Sequence, residues 1–145
     1  MSFYEIVKTL YHVIFLNSEG NQVLFVSENE DELIIHRELY PGVTVQNLKD
    51  FSEIFDSKYL ILEDRTQSKN NLIVVSREHW NNISSSQKFE ILLRECCPMF
   101  FNGMNISEIT DINEQQKALD NFSEWVICSS MRCAAMSELV ITIVK

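Results

Sequence analysis

The feature that most constrains the fold of this chain is a series of short apolar runs, each set off by polar turn residues. The runs VIFL at 13–16 and LIVV at 72–75 have the length of buried strands, and 139–144 is a third, β-branched run. None approaches the roughly 18–20 apolar residues that cross a bilayer. The 145 residues include only three Gly and two Pro, and no linker divides them. We therefore predict one globular domain, residues 1–145, with no membrane span.

Segments rich in β-branched and aromatic residues predict the strands of a sheet. The first two flank a polar cluster and indicate a hairpin, as the fourth and fifth do around a longer polar loop. The third ends before Pro41-Gly42, a pair that favours a turn. In chain order the predicted strands are Tyr11–Leu16, Gln22–Val26, Glu32–His36, Lys58–Leu62, Asn71–Val75 and, as a possible addition to the sheet, Leu139–Val144.

Capping residues followed by apolar positions at helical spacing predict the helices. Ser2 precedes a short N-terminal helix, for which one long strand to Leu16 is the alternative. Thr44 is predicted to cap a helix over 45–55, whose buried stripe would be Leu48, Phe51, Ile54 and Phe55. Further helices are predicted after Ser84, with Pro98 as the stop, and after Asp111, with Ala118, Leu119, Phe122 and Val126 as the apolar face.

Hairpin-linked strands with helices between them define the expected fold class. We predict an α+β domain with a mainly antiparallel sheet of about five to six strands. The helices are expected to pack on one face of that sheet.

The charge of the chain argues against nucleic acid as a direct ligand. Lys and Arg number 12 against 21 Asp and Glu, so the formal net charge is −9, whereas a phosphate backbone is bound by clustered basic side chains. The acids concentrate between residues 28 and 64, with a second block at 108–124. One interpretation is a solvated face that keeps the protein soluble. The other is a surface that attracts a basic protein, with nearby tyrosines as anchors.

On the second interpretation, the carboxylates of the first block and two aromatic side chains form the binding surface. The predicted partner-binding residues are Glu28, Glu30, Asp31, Glu32, Glu38, Asp50, Glu53, Asp56, Glu63, Asp64, Tyr40 and Tyr59.

The cysteines and glycines carry no cofactor signature. Cys96 and Cys97 are adjacent, and four residues lie between Cys128 and Cys133, which fits neither paired zinc knuckles nor an obvious disulfide framework. Reduced, buried thiols are expected. No glycine-rich phosphate loop is present, and the acidic run 27–32 lacks the glycine of an EF-hand. We predict no cofactor, no metal site and, since no secretory signal begins the chain, a cytoplasmic location.

One local cluster could support catalysis. His79 next to Glu78 could act as a general base, although a short helical turn in which Trp80 fills the edge of the core accounts for the same residues. We assign no catalytic residue, and an enzyme using His79, Glu78 or a cysteine remains the least favoured alternative.

Size, acidity and the lack of a catalytic signature together make the chain similar to immunity proteins that inhibit nuclease toxins. The similarity is one of class and is carried by no sequence motif. It implies a protein that neutralises a basic toxin by covering its cleft with carboxylates. The alternative is a dimeric secretion chaperone, because type III chaperones resemble this chain in length, acidity and an N-terminal helix followed by three strands. The oligomeric state is left open.

Overall fold

Most of the predicted elements form in the computed structural model, which describes residues 3–8, 10–64, 71–96, 100–101, 104–120 and 138–145. The helices are α1 (Phe3–Val7), α2 (Glu30–Leu39), α3 (Leu48–Lys58), α4 (Arg77–Asn82), α5 (Ser85–Glu95) and α6 (Ile112–Asp120), with a 3₁₀ turn at Ile106–Glu108. The strands are β1 (His12–Leu16), β2 (Gln22–Ser27), β3 (Thr44–Asn47), β4 (Tyr59–Asp64), β5 (Asn71–Ser76), β6 (Phe100–Phe101), β7 (Met104–Asn105) and β8 (Glu138–Val144).

Six strands form one sheet in the order β3-β2-β1-β8-β5-β4, and β6 and β7 pair separately. The α+β prediction is confirmed, and both hairpins, β1–β2 and β4–β5, are antiparallel as expected. The sheet as a whole is mixed, so the prediction of a mainly antiparallel sheet is wrong. Strand β8 lies between β1 and β5 and runs parallel to both, and β3 runs parallel to β2.

Alternate side chains of the central strands enter two separate apolar cores. On β5, Leu72 and Val74 join one core, and Ile73 and Val75 join the other. The first core is covered by α1 and α3 and the second by α4, α5 and α6. Helices therefore cover both faces of the sheet instead of the single face that was expected. Strands buried on both faces read as continuous apolar runs, which is the pattern of 72–75.

The first core is built around aromatic rings. Phe3 of α1 stacks on Phe55 of α3 with ring centroids 3.7 Å apart, and Phe15 of β1 meets Phe51 of α3 edge to face at 5.1 Å. Such pairs contribute about 0.5–1.5 kcal/mol each beyond the burial of their area. This packing fixes α3 on the face of the sheet opposite α4 to α6.

Two predicted elements are wrong in type or position. The segment Glu32–His36 is helical and lies inside α2, because Asn29 caps a helix there and outweighs the β preference of Ile34-Ile35. Residues 44–47 form strand β3, so the helix predicted over 45–55 begins only at Leu48 and is capped by Asn47, not by Thr44.

The buried stripe of that helix also differs from the prediction in one position. Leu48, Phe51 and Phe55 are buried as predicted, whereas Ile54 is 40% exposed and Ser52 is buried.

The remaining helix predictions agree with the structure where it describes them. Ser84 and Gln87 form a capping box at the start of α5, with both reciprocal hydrogen bonds present. Asp111 precedes α6, and its Oδ1 accepts from the backbone N–H groups of Asn113 and Glu114. Pro98, the apolar positions Phe122 and Val126, and three of the cysteines (Cys97, Cys128 and Cys133) lie outside the described residues.

Candidate functional site

Helix α2 begins at a well-made N-cap. The side-chain oxygen of Asn29 accepts from the backbone N–H groups of Asp31 at 2.9 Å and Glu32 at 3.3 Å. The first turn, Glu30-Asp31-Glu32, is entirely acidic, and carboxylates are stabilised at the positive end of the helix dipole. Part of the acidic run that the sequence displays therefore serves the helix itself.

The inner side of α2 is fixed on strand β2. Leu33 is buried, and the imidazole of His36 stacks flat on Phe25 with ring centroids 3.8 Å apart and 3° between the planes. The Nε2 atom of His36 is hydrogen-bonded to Gln22, and the ring of Tyr40 lies 4.7 Å away. Phe25 alternates along β2 with Leu24 and Val26, which belong to the first core. Helix α2 thus lies on the face opposite α3.

Glu32 is also held inward, by a hydrogen bond from the end of strand β2. The hydroxyl of Ser27, which is fully buried at the end of β2, donates to Glu32 Oε2 at 2.9 Å and accepts from the N–H of Asn29 at 3.1 Å. A carboxylate bound in this way orders the loop that enters α2. Of the predicted binding residues, Glu32 consequently acts as a structural contact in this fold.

The outer side and the C-terminal end of α2 expose large apolar side chains between carboxylates. Among the described residues, nine large hydrophobic side chains are exposed, and four of them fall within residues 34–40. Their exposed fractions are 49% for Ile34, 56% for Ile35, 65% for Leu39 and 51% for Tyr40. We call this surface the α2 face; it comprises Asp31, Ile34, Ile35, Glu38 and Leu39, with Tyr40, which follows the helix and lies beside His36, at its edge.

Helical spacing makes the α2 face continuous. Ile35 and Leu39 are one turn apart, as are Asp31 and Ile35, and Ile34 and Glu38, so each pair lies side by side. Solvent-exposed helix surfaces are normally polar, and clustered exposed apolar residues rimmed by charge mark interaction sites.

The twelve residues predicted to bind a partner do not share one surface. Glu28, Glu30, Asp31, Glu38 and Tyr40 belong to α2 and its ends and are exposed. Asp50 and Glu53 are exposed on α3, across the sheet. The two helices approach each other at their N-termini, where Asn47 Nδ2 donates to Glu30 Oε1 at 3.4 Å.

Asp56 and Tyr59 have partners inside the fold. Asp56 Oδ2 lies 3.5 Å from the backbone N of Phe3, and its carbonyl accepts from Arg77 Nε at 2.7 Å. Tyr59 packs against the rings of the first core, and burial raises the pKa of its hydroxyl. The side chains of Glu63 and Asp64 lie outside the described part of the chain.

In the described part of the chain, His79 and Glu78 line two different clefts. His79 lines a cleft of about 230 Å³ with Glu90 and Arg94 of α5. Glu78 lines another, of about 360 Å³, with Lys58 and Arg77. Consecutive side chains of a helix point about 100° apart, which explains the separation. Trp80 is buried in the second core, the role that the structural interpretation of this cluster assigned to it.

One polar pair joins two residues that no sequence pattern connects. His12 Nε2 and Glu138 Oε2 share a hydrogen bond of 2.8 Å, although 126 residues separate them. They are neighbours because His12 faces Glu138 across the parallel pairing of β1 with β8. The contact follows from the order of the strands in the sheet, which no local motif predicts.

Neither a metal site nor a membrane span is found in the described part of the chain. The Asp, Glu, His and Cys residues described there include no group of three or more that could hold a metal ion. The described α-helices have at most 11 residues, and none is long and apolar enough to cross a bilayer.

Comparison of the chain with protein families, with curated proteins and with solved structures gave no match.

Proposed function

We propose that this protein binds and neutralises a basic protein, in the manner of an immunity protein that inhibits a nuclease-type toxin. The observation that carries the proposal is the α2 face, where exposed carboxylates and exposed apolar side chains alternate on one helix. Charge steers a partner of opposite sign, and buried apolar side chains supply the affinity that exposed charge alone does not.

The chemistry of a nuclease explains why such a surface would inhibit it. A nuclease must hold phosphate, so its cleft is lined with Lys and Arg. Carboxylates placed over that cleft compete with the nucleic acid for the same basic side chains. An inhibitor of this kind needs no catalytic residue, and His79 and Glu78 line separate cavities.

The proposal is tested by affinity capture on the tagged full chain at about 50 mM salt, with elution by a salt step to about 500 mM. We expect a stoichiometric, basic protein whose nuclease activity is blocked by the purified chain. Its affinity should fall steeply over this salt range, because exposed charges are screened. A stoichiometric partner that is acidic, or one whose affinity is unchanged by salt, would contradict the proposal.

A further inference from the structure

We infer that the α2 face is the docking surface and that its occupant is a basic protein surface in which Lys or Arg side chains surround an apolar hollow. This inference rests on the proposed function and deepens it, because it names the contact surface and the chemistry of the partner.

The exposed apolar side chains distinguish the two acidic blocks. The acidic block at 108–124 has one exposed large hydrophobic residue among its described positions, Ile112, which is 76% exposed. The α2 face has four within seven residues. Both blocks attract a basic surface, but only the α2 face combines that attraction with adjacent side chains able to fill a hollow.

Contacts on the inner side of α2 make the surface rigid. The inner side of α2 is held by the stack of His36 on Phe25, by buried Leu33 and by the Ser27–Glu32 hydrogen bond. A helix fixed in this way presents Ile35 and Leu39 without a large ordering cost on binding, which leaves more of the contact energy as affinity.

The charge around the exposed apolar side chains is mainly negative. Glu28, Glu30, Asp31 and Glu38 are all exposed at or near the face, and Arg37 is the basic residue that accompanies them. Two copies of this chain meeting through their α2 faces would bring like charges together, which disfavours a second copy. A partner that is basic at the rim and apolar at the centre is complementary in both respects.

The test uses ¹⁵N-labelled full-length protein and two synthetic helical peptides as probes. One peptide, of about 18 residues, is built from Leu and Lys with the Leu on one side, and the other has Ser in place of every Leu at the same charge. Amide shift changes map the contact, and the dissociation constant is taken from the titration. We expect changes over residues 28–40 with the Leu/Lys peptide, and binding of the Ser/Lys peptide that is weaker by about tenfold or more.

A matched pair of variants separates contact from folding. Ile35→Ser with Leu39→Ser removes two apolar side chains from the α2 face, and Ile112→Ser removes one that is exposed on α6. All charges are kept, and circular dichroism checks that the helices persist. The α2 variant should bind the Leu/Lys peptide about tenfold more weakly or worse, whereas Ile112→Ser should match the native protein.

The remaining outcomes distinguish failure of the docking surface from failure of the proposed function. Shift changes on α6, or equal binding of the two peptides, would refute the α2 docking surface and leave the basic-partner function standing. Shift changes in α2 on raising the protein concentration without peptide would assign the face to a second copy. No binding of either peptide at about 50 mM salt would contradict the proposed function as well.

Discussion

His36 shows how one residue links the stability of the fold to the presentation of a surface. Its ring lies flat on Phe25 and beneath the helix that carries the α2 face. Burial and the nearby imidazole of His12 lower the pKa of His36, while the carboxylate of Glu32 acts in the opposite direction. The neutral ring is therefore the form that the folded protein prefers.

We predict that the packing of α2 on strand β2 weakens in mild acid. The folded state holds the pKa of His36 below the ordinary value of 6.5. The contribution of neutral His36 to the free energy of unfolding is therefore complete above pH 6.5. It is lost as pH falls from 6.5 through the lowered pKa. The free energy of unfolding, measured with urea between about pH 8 and 5, should fall more in the native protein than in His36→Phe, which keeps the ring stack. Parallel curves for the two proteins would show that His36 contributes nothing to the acid sensitivity.

Residue types alone could indicate which side chains are apolar, but not which of them stay exposed. Ile34 and Ile35 favour β structure and suggested a buried strand at 32–36. The cap at Asn29 places them in a helix, of which only Leu33 is buried. The α2 face was thus hidden from sequence reasoning, although the acids and Tyr40 around it were singled out.

At the level of elements, local signals worked where they were strong. The capping box at Ser84 and the turn between β1 and β2 each specify an element through residues that are close in the sequence. The run 139–144 is apolar and β-branched enough to be recognised as a strand, although its pairing partners are distant. Strand β3 is four residues long and pairs with β2 at the edge of the described sheet. Its formation depends on a neighbour 20 residues away, so no local pattern marks it.

We predict that α5 depends measurably on its cap. Ser84→Ala removes the side chain that accepts from the Gln87 N–H and should lower the free energy of unfolding by about 0.5–2 kcal/mol. The matched control is Ser86→Ala. Ser86 is the second residue of the same helix and is exposed. It should be neutral or slightly stabilising because Ala favours helix interiors. Equal effects of the two substitutions in urea unfolding would argue against the cap.

At the scale of the whole molecule, the position of β8 decides the architecture. The chain places its last strand between β1 and β5, where it joins the two hairpins into one sheet and gives both faces a core. A polar turn between two consecutive strands predicts a hairpin, so the two antiparallel pairs could be predicted from the sequence. The parallel pairings of β8 join segments more than 60 residues apart, which no turn specifies.

The same topology divides the acidic residues. A net charge of −9 suggested one surface from Glu28 to Asp64, whereas α2 and α3 lie on opposite faces of the sheet. Function, in this account, depends on where the carboxylates meet exposed apolar side chains and not on the total charge.

That claim is tested most directly by two variants of equal charge, each titrated with the Leu/Lys peptide over about 50–500 mM salt. Asp31→Asn with Glu38→Gln neutralises two carboxylates of the α2 face, and Glu114→Gln with Asp120→Asn neutralises two on α6. We predict that the α2 variant binds several-fold more weakly at low salt and loses part of the salt dependence, while the α6 variant follows the native protein. Equal weakening of both variants would mean that net charge alone attracts the partner, and the central claim would be wrong.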